Sequence, residues 1–316
     1  MFYKNKKVLV TGGTGFIGAN FVNELLTKDA VVRIPIHKRR SCLFHKNIET
    51  VHADLTKMKD CLKVCDNIDY VIHAAGAVGS AAVGIVREME TITANLILSS
   101  SIMEAAWKQK VDRFLLFGSS TAYPPAEYPI KEHEMWTTQP YEGYMGYGWM
   151  RRYLEKLAEF VHNRSNMKIA IARPSAVYGD FDNFDLDTCH VLPALIRKAV
   201  KKENPYTVWG DGNDIRDFIY VTDFVEGSLL LLEKYAVCDP VNIAYGVGSS
   251  IKDVVKIILK VTNHANALVK FDTTKPSKLP VRLVDISKSK ELLNFIPKVS
   301  LENGICQTVK WFNNNL

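Results

Sequence analysis

Three features are scarce or missing in this sequence: paired cysteines, long apolar runs and dense clusters of basic residues. The six cysteines have no paired spacing, which favours reduced thiols in a cytosolic protein over a disulfide framework. No window is apolar enough for a signal peptide or a membrane span, so we expect an unanchored cytoplasmic chain with no membrane partner. We also predict no metal site.

The charged residues of the chain are nearly balanced. Lysine and arginine together number 40, against 34 aspartates and glutamates, and the formal charge of +6 is spread over short clusters without a basic tail. This distribution argues against nucleic-acid binding, whereas a mild positive balance suits an anionic small molecule. With 316 residues and 47% hydrophobic content, the chain can form one large domain or two medium ones.

Segments typical of buried strands alternate with helical segments through the first half of the chain. A β-branched run at 7–10 stops at a glycine-rich turn, a helix follows from 16 to about 28, and a second strand covers 31–36. Further strands are predicted at 50–52, 70–73, 114–117 and 169–172, with helices around 91–108 and 147–163. This alternation is typical of an α/β fold with a Rossmann-type, doubly wound parallel sheet.

The turn after the first strand carries Gly12, Gly15 and Gly18 in a G-x-x-G-x-x-G pattern. Between a strand and a helix, such glycines allow a tight turn, close approach of the backbone to a pyrophosphate, and close helix packing. The helix N-terminus then points its N–H groups at the phosphates. The turn predicts a dinucleotide site, with a plain tight turn as the alternative. The other cofactor contacts predicted in this turn are Thr14, Phe16 and Ile17.

The end of the second strand differs from the usual NAD pattern. An acidic residue normally binds the ribose 2′-hydroxyl there, but this chain has His37 followed by Lys38, Arg39 and Arg40. Basic groups fit a 2′-phosphate, so NADP(H) is slightly favoured over NAD(H), with a solvated loop as the alternative. Further cofactor contacts are predicted after the third and fourth strands, namely Asp54 and Leu55 at the adenine and Ala74, Ala75 and Gly76 beneath the dinucleotide.

The pattern of the sequence changes after Pro174, where Gly, Asp, Asn and Pro interrupt it at 179–187 and 209–214. We predict a dinucleotide-binding domain of residues 1–175, with a strand and a helix in 218–240 returning to its sheet. A smaller, discontinuous α/β substrate domain is predicted from 176–217 and 241–316, and it includes an amphipathic helix at 250–262.

In its motifs the chain resembles the extended short-chain dehydrogenase/reductase family of NAD-dependent epimerase/dehydratase type, and within it the GDP-fucose synthases. The resemblance covers nearly the whole length and is typical of sugar-nucleotide enzymes. The segments that carry it are 11–18, 73–79, 118–124, 147–155, 173–179, 182–184, 189–195, 216–221 and 272–276. It implies a substrate domain that binds a sugar nucleotide, and cofactor contacts from Pro174, Ser175 and Val177.

The same resemblance implies that Tyr147 moves a proton at the sugar carbonyl or alcohol and that Ser119 holds the same oxygen. Hydride transfer leaves negative charge on that oxygen, so a phenol within hydrogen-bond reach lowers the barrier. The family has Lys four residues after the Tyr, where this chain has Arg151. Arg keeps the charge but is larger and planar. Slow proton transfer, a different arrangement of the site, or a permanently bound cofactor all remain open.

A second departure concerns epimerisation, for which the family uses a Cys and a His as an acid/base pair. Thr121 stands at the Cys position, while His190 matches the His. A Thr hydroxyl has a pKa far above that of a thiol and cannot readily exchange a proton beside a ketone. We therefore predict oxidation or reduction at one carbon, C4, without 3,5-epimerisation. Dehydration is not expected either, because Ser120 and Thr121 replace the Asp-Glu pair of dehydratases.

The resemblance also suggests contacts to a GDP-sugar. They are Val78, Ser120, Asn183, His190, Val191, Leu192, Lys198, Trp209, Arg216 and Lys275. Arg216 is the strongest candidate, because a guanidinium can grip a pyrophosphate through two hydrogen bonds. Trp209 either lines the guanine pocket or packs at the domain edge. Lys198 lies in a run of basic residues for which a solvated charged face is the favoured interpretation.

The leading hypothesis is an NAD(P)-dependent oxidoreductase acting on a GDP-linked deoxyhexose or heptose in surface polysaccharide or glycan synthesis. The alternatives are a sugar-nucleotide 4-epimerase with a retained cofactor and a non-catalytic NAD(P)-binding sensor in which Arg151 marks loss of catalysis. The resemblance further implies a homodimer, with the helices near 91–108 and 147–163 packing as a four-helix bundle.

Overall fold

The computed structural model describes residues 1–37, 43–77, 85–275 and 279–316. Three of the predicted site residues, Lys38, Arg39 and Val78, lie outside these described residues, as does Arg40. The strands are β1 (Lys7–Thr11), β2 (Val31–Ile36), β3 (Ile48–His52), β4 (Tyr70–His73), β5 (Arg113–Phe117), β6 (Lys168–Pro174), β7 (Ala176–Tyr178), β8 (Tyr206–Trp209), β9 (Ile215–Tyr220), β10 (Val241–Ile243), β11 (Gly248–Ser250), β12 (Val269–Asp272) and β13 (Val281–Arg282). The α-helices are α1 (Phe16–Thr27), α2 (Met58–Cys65), α3 (Ile85–Lys108), α4 (Met145–Arg164), α5 (Val191–Val200), α6 (Val221–Lys234), α7 (Ile251–Val261), α8 (Ser287–Leu293) and α9 (Leu301–Asn315).

A parallel central sheet forms the main body of the molecule. Its strand order is β10-β6-β5-β4-β1-β2-β3, so the chain winds in one direction from β1 to β3 and in the other from β4 to β10. This is the predicted doubly wound Rossmann-type arrangement, and the fold prediction is confirmed. The strand order reverses between β1 and β4, where Thr11 pairs with His73. In such sheets ligands bind outside the carboxyl ends of the strands at the reversal.

The two faces of the central sheet bury separate hydrophobic cores. Val8 and Val10 of β1 belong to the core that α1 and α6 cover, whereas Leu9 belongs to the core beneath α2, α3 and α4. Successive side chains of a strand point to opposite faces, so a strand covered on both sides is apolar throughout. For that reason the run at 7–10 was recognisable in the sequence. Within the described ranges no helix is long and apolar enough to cross a membrane.

Two smaller sheets lie beyond the central one. β9 pairs with β11, β13 and β7, and β8 pairs with β12. The prediction that the strand at 218–220 returns to the central sheet is therefore wrong, although α6, which follows it, does pack on that sheet. The strand that returns is β10, whose three residues centre on the buried polar Asn242. Such a short strand with a polar centre shows no hydrophobic pattern, and sequence periodicity does not reveal which sheet a strand joins.

Candidate active site

The glycine turn lies at the strand-order reversal, and its backbone tolerates almost no side chain. Gly12 has a φ of +68°, and a Cβ there would lie 2.7 Å from the backbone of Ala74 and Ala75. A Cβ at Gly18 would lie 2.1 Å from the carbonyl oxygen of Gly12. Gly15 is different, because its Cβ would meet only that same carbonyl, at 3.4 Å. The close packing of the turn therefore requires glycine at positions 12 and 18, whereas the space next to the Cα of Gly15 is largely open.

The first turn of α1 has no capping side chain. Gly15 occupies the N-cap position, and no side chain hydrogen-bonds to the helix start there. The backbone N–H groups at a helix start need partners, and a phosphate is a suitable one. The neighbouring residues Thr14, Phe16 and Ile17 are all partly exposed. The turn therefore fits the pyrophosphate of a dinucleotide by shape and by available donors.

A buried hydrogen-bond chain fixes the ends of β1 and β4 beneath this turn. The Thr11 hydroxyl lies 2.8 Å from Nδ1 of His73, and Nε2 of His73 lies 2.9 Å from the Ser99 hydroxyl. The Ala75 amide donates to the Thr11 oxygen at 3.1 Å. Burial lowers the pKa of His73 to about 3, with Arg151 adding repulsion, so the imidazole is neutral. Sequence analysis did not identify this histidine, although it directly precedes the predicted Ala74.

Asn95 of α3 fixes the segment that follows β4. Its side-chain amide donates to the carbonyl of Ala77 at 2.9 Å, and its oxygen accepts the Ala77 N–H at 3.0 Å. A Cβ on Gly76 would lie 2.9 Å from that same oxygen. The predicted small-residue segment is therefore fixed by a buried amide on a neighbouring helix. Nothing in the local sequence distinguished Asn95, since its role depends on α3 lying beside the segment.

The residues predicted for the adenosine end lie at the ends of β2 and β3. His37 is exposed directly after β2. The Asp54 carboxylate accepts hydrogen bonds from the hydroxyl and amide of Thr56, which lower its pKa, and His37 is close enough to add to that effect. Leu55 is buried in the core below α2. His37 and Asp54 are thus brought together, while the Leu55 side chain contributes to packing.

Tyr147 and Arg151 lie on one face of α4, four residues apart, and are in direct contact. Arg151 donates to the Tyr147 phenol oxygen through Nε at 3.0 Å and Nη2 at 2.5 Å, and through Nη1 to the Phe117 carbonyl at 3.1 Å. Its guanidinium carbon lies 5.0 Å from the centre of the Tyr147 ring. Hydrogen bonds from a cationic donor stabilise negative charge on the accepting oxygen. The replacement of the family's Lys by Arg therefore produces a two-point contact to the phenol.

The turn after β5 brings the predicted hydroxyl groups to the start of α4. The Ser119 and Thr121 hydroxyl oxygens lie 2.7 Å apart, and the Thr121 amide donates to the Ser119 oxygen at 3.2 Å. A Cβ on Gly148, next to Tyr147, would lie 3.2 Å from the Thr121 carbonyl. The start of α4, which carries Tyr147, therefore packs against the turn that carries the two hydroxyls. Ser120 is buried in the same turn.

Two arginines lie side by side at the predicted substrate end. Arg282 of β13 is in register with Arg216 of β9. Arg216 bonds to the Asp214 carboxylate at 2.9 Å and to two backbone carbonyls, and its pKa is lowered by burial and by the charge of Arg282. Among the described residues, Arg282 has no carboxylate within ion-pair distance and lies 5.8 Å from the centre of the Tyr144 ring. Arg282 was not among the predicted site residues, because its position depends on the pairing of β13 with β9.

His190 lies near enough to Arg282 to feel its charge. The imidazole is accessible to solvent, yet the surrounding protein and the charge of Arg282 lower its pKa. Next to it, Val191 is exposed while Leu192 is buried in the core. Asn183 is exposed and donates to the Thr188 hydroxyl at 2.8 Å, within its own loop. The structure thus places His190 near Arg282, while the Asn183 side chain bonds only within its loop among the described contacts.

The remaining predicted substrate contacts lie at the β8–β12 pair. The Lys275 ammonium is 5.5 Å from the centre of the half-exposed Trp209 ring, so these two residues form one accessible surface. Lys198 instead donates to the Thr207 carbonyl at 2.9 Å and ties α5 to β8. That contact gives Lys198 a structural role whether or not it meets a ligand.

Asp217 connects the predicted cofactor residues at 174–177 to the smaller sheet. It accepts hydrogen bonds from the Ser175 hydroxyl at 2.9 Å and from the amides of Tyr245 and Gly246. Burial raises its pKa to about 6, although these hydrogen bonds oppose the shift. Val177 pairs with Ile219 of β9 in the same region. Asp217 was missed because its partners come from two segments that are distant from it in sequence.

Comparisons with known proteins identify the family of this chain. Residues 8–244 match the model of the NAD dependent epimerase/dehydratase family. A GDP-L-fucose synthase of Sinorhizobium fredii is 29% identical over 98% of this chain and 96% of that protein. A dTDP-4-dehydro-6-deoxy-D-allose reductase of Streptomyces bikiniensis is 28% identical over 99% of this chain and 98% of that protein. The crystal structure of UDP-glucuronic acid 4-epimerase from Bacillus cereus, with UDP-glucuronic acid and NAD, superposes with a TM-score of 0.86 at 25% identity, covering 98% of this chain and 100% of that one.

The family match spans the glycine turn, the hydroxyl-bearing turn after β5 and the tyrosine of α4, and it ends just beyond β10. It therefore includes the whole central sheet and the predicted proton-transfer residues. The resemblance inferred from the sequence motifs is confirmed. The chain belongs to the NAD dependent epimerase/dehydratase family, the extended short-chain dehydrogenase/reductase group that includes the GDP-fucose synthases.

Proposed function

We propose that the protein is an NAD(P)-dependent oxidoreductase that transfers hydride at one carbon, C4, of a GDP-linked deoxyhexose or heptose. The observation that carries this proposal is the contact of the Tyr147 phenol with Arg151 on α4, together with the paired hydroxyls of Ser119 and Thr121 in the turn that packs against this helix. Reduction of a ketone places negative charge on its oxygen. Ser119 holds that oxygen, Tyr147 donates the proton, and the guanidinium stabilises the charge left on the phenol.

The glycine turn fits a dinucleotide, because α1 is uncapped and Gly15 has open space at its side. Gly12, Gly15 and Ala74 to Gly76 would hold the pyrophosphate and the nicotinamide half, and His37 the adenosine ribose. When bound, the cofactor supplies or accepts the hydride. The exposed His37, together with the basic residues that follow it in sequence, supports NADP(H) over NAD(H).

A nucleotide diphosphate is supported as the substrate's anionic part by Arg216 and Arg282. Two neighbouring guanidinium groups repel each other, and a pyrophosphate between them relieves that repulsion. GDP-L-fucose synthase and the dTDP-sugar reductase are both relatives over nearly the full chain, which supports the nucleotide-sugar class. The half-exposed Trp209, next to Lys275, offers a ring on which a guanine base can stack.

Loss of 3,5-epimerisation follows from Thr121. Its hydroxyl is engaged with the Ser119 hydroxyl, and an alcohol does not form the anion needed to remove a proton beside a ketone. His190 remains available as one acid/base group but lacks the thiol partner. We therefore expect a single reduction or oxidation, with the configuration at C3 and C5 retained.

The test is turnover of a GDP-4-keto-6-deoxyhexose by purified protein in D2O, with NADPH or NADH. We expect oxidation of the cofactor, followed by absorbance at 340 nm, and a product without deuterium at C3 or C5. Tyr147→Phe should abolish turnover while the variant still binds the cofactor. In a second assay the substrate is a GDP-6-deoxyhexose with a hydroxyl at C4. Interconversion of its C4 epimers with no net absorbance change would favour the retained-cofactor 4-epimerase. If the wild-type protein binds NADPH but turns over no nucleotide sugar, the result would favour the non-catalytic sensor.

We further propose a homodimer through α3 and α4. These helices lie side by side, and their outer faces carry large side chains that are about half exposed. They are Ile97 and Trp107 on α3 and Trp149, Tyr153 and Phe160 on α4. Light scattering after gel filtration should give twice the chain mass, and Tyr153→Glu combined with Phe160→Glu should give the monomer. A monomeric wild-type protein at micromolar concentration would contradict this proposal.

A further inference from the structure

One buried side chain connects the two segments that carry the proton-transfer groups. Arg173, near the end of β6, is 1% exposed. It donates to both carboxylate oxygens of Glu155 on α4, through Nε at 2.9 Å and Nη2 at 2.6 Å. Its Nη1 donates to the Tyr123 hydroxyl at 2.9 Å and to the Glu132 carbonyl at 2.8 Å. A single guanidinium thus bonds to α4 and to the turn after β5.

The contacts on the α4 side fix the register of the helix. Tyr147, Arg151 and Glu155 are spaced by four residues and lie on one face. Arg151 bonds to the Phe117 carbonyl, and a Cβ on the next residue, Gly118, would lie 2.5 Å from a Glu155 oxygen. Two consecutive turns of α4 therefore rest on the backbone immediately before Ser119.

The contacts on the other side fix the turn that contains Ser119 and Thr121. Tyr123 ends this turn, and its hydroxyl donates to the Asn242 side chain at 2.6 Å while accepting from Arg173. Asn242 lies in β10, and its backbone N–H donates to the Glu132 carboxylate at 2.8 Å. The turn is thereby tied to the edge of the central sheet through a single phenol.

We propose that Arg173, Glu155 and Tyr123 are positioning residues, which set the distance between the Tyr147 phenol and the Ser119 hydroxyl. This rests on the proposed function, because it assigns the two groups to one reacting oxygen. Rate depends steeply on such distances, and a displacement of about 1 Å costs up to roughly a hundredfold in turnover. Arg173 itself touches neither the substrate nor the cofactor in this arrangement.

Arg173→Ala is a poor test, since it leaves the Glu155 carboxylate buried without a partner and threatens folding. Tyr123→Phe removes only the hydroxyl that connects Arg173 to the turn. Tyr3→Phe is the matched control, because the Tyr3 hydroxyl is also buried and donates to the Leu229 carbonyl at 2.7 Å, away from the site. Comparison of the two variants separates positioning from the general cost of losing a buried hydroxyl.

We expect Tyr123→Phe to lower kcat about tenfold. KM and the Kd for NADPH should change less than about twofold, and Tm should match that of Tyr3→Phe. The same substitution in a Ser119→Ala background should lower kcat by less than about threefold, because the distance no longer matters once one of the two groups is gone. An equal loss in both backgrounds, or a kcat equal to that of Tyr3→Phe, overturns the proposal.

Hydrogen–deuterium exchange gives a readout that needs no substrate. Tyr123→Phe should speed exchange in peptides covering 118–124, whereas Tyr3→Phe should not. If the wild-type protein turns over no nucleotide sugar, the proposed function fails, and hydrogen–deuterium exchange alone tests whether the Tyr123 hydroxyl fixes the turn. Unchanged exchange at 118–124 in Tyr123→Phe would then refute this role of Tyr123, and faster exchange would support it.

Discussion

Arg151 donates two hydrogen bonds to the phenol oxygen of Tyr147, at 3.0 Å and 2.5 Å, and a third to the Phe117 carbonyl. The guanidinium is therefore fixed at one end by the backbone of β5 and presents two donors to the phenol. An ammonium at this position could make only a single contact to that oxygen from a flexible chain. The family's usual Lys would not reproduce this geometry.

We predict that Arg151→Lys lowers kcat about tenfold, since one charge-assisted hydrogen bond to the phenol is lost. Stopped-flow measurement of NADPH oxidation would show it, with Arg151→Gln as a control that removes the charge and should be slower still. A gain in turnover for Arg151→Lys would show instead that Arg151 impairs the natural enzyme.

The two glycines at positions 12 and 15 should respond differently to alanine. At Gly12 the positive φ and the backbone of Ala74 and Ala75 should make Gly12→Ala cost at least about 2 kcal/mol in unfolding free energy. Gly15→Ala should cost less than about 1 kcal/mol, because φ there is −105° and the new Cβ meets only an ordinary contact.

Gly15→Ala should nevertheless weaken NADPH binding by at least tenfold, since its methyl group lies where the pyrophosphate approaches the backbone. Urea denaturation of each variant would measure its free energy of unfolding, and fluorescence titration would measure its affinity for NADPH. Unaltered affinity in Gly15→Ala would place the dinucleotide elsewhere.

His73 should make the protein lose stability in mild acid. Its pKa of about 3 in the folded state lies below the unfolded value of about 6.5, so the unfolded chain takes up a proton first. The contribution of neutral His73 to the free energy of unfolding is complete above pH 6.5 and falls as the pH drops toward 3. At pH 5 the protein has lost about 2 kcal/mol of this contribution. Urea denaturation of wild type and His73→Gln at pH 7 and pH 5 should show a smaller pH effect in the variant. An identical pH effect in both would assign the acid sensitivity to other groups.

Arg282→Gln should raise KM for the nucleotide sugar roughly tenfold or more, with the Kd for NADPH unchanged, because one guanidinium at the pyrophosphate is lost. The effect should shrink at high salt. Lys256→Gln is a suitable control, since this exposed lysine of α7 pairs with Asp253 of the same helix. A KM that is the same in both variants would remove Arg282 from the substrate end.

The sequence predicted those parts of the fold that local pattern determines. Strands β1, β4, β5 and β6 are mainly apolar and buried, and the glycine turn lies between a strand and a helix, so both were visible without any knowledge of the tertiary structure. Strand β3 has no buried residue, so its prediction at 50–52 as a buried strand was wrong in that respect. The helix containing Tyr147 and Arg151 was also visible, and the spacing of four places both on one face.

The missed residues depend on contacts between distant segments. His73, Asn95, Asp217 and Arg282 are ordinary polar residues in sequence, and each gains its place from a partner on another strand or helix. The assignment of 218–220 to the central sheet was wrong for a related reason. Periodicity identifies a strand, but only packing decides whether β9 or β10 completes the sheet.

The central sheet and the two smaller sheets carry different groups of the proposed site residues, so the two groups can change independently during evolution. The proposed proton-transfer residues belong to the central sheet and the helix packed on it, whereas Arg216 and Arg282 lie together on the sheet of β9 and β13. Under the proposed function, the segments that meet the base and the diphosphate can therefore change without altering the proposed proton-transfer residues. A chimaera that takes the β8–β12 pair, with the position of Trp209, from a dTDP-sugar reductase should inherit the donor's choice of base and keep this protein's stereochemistry of reduction.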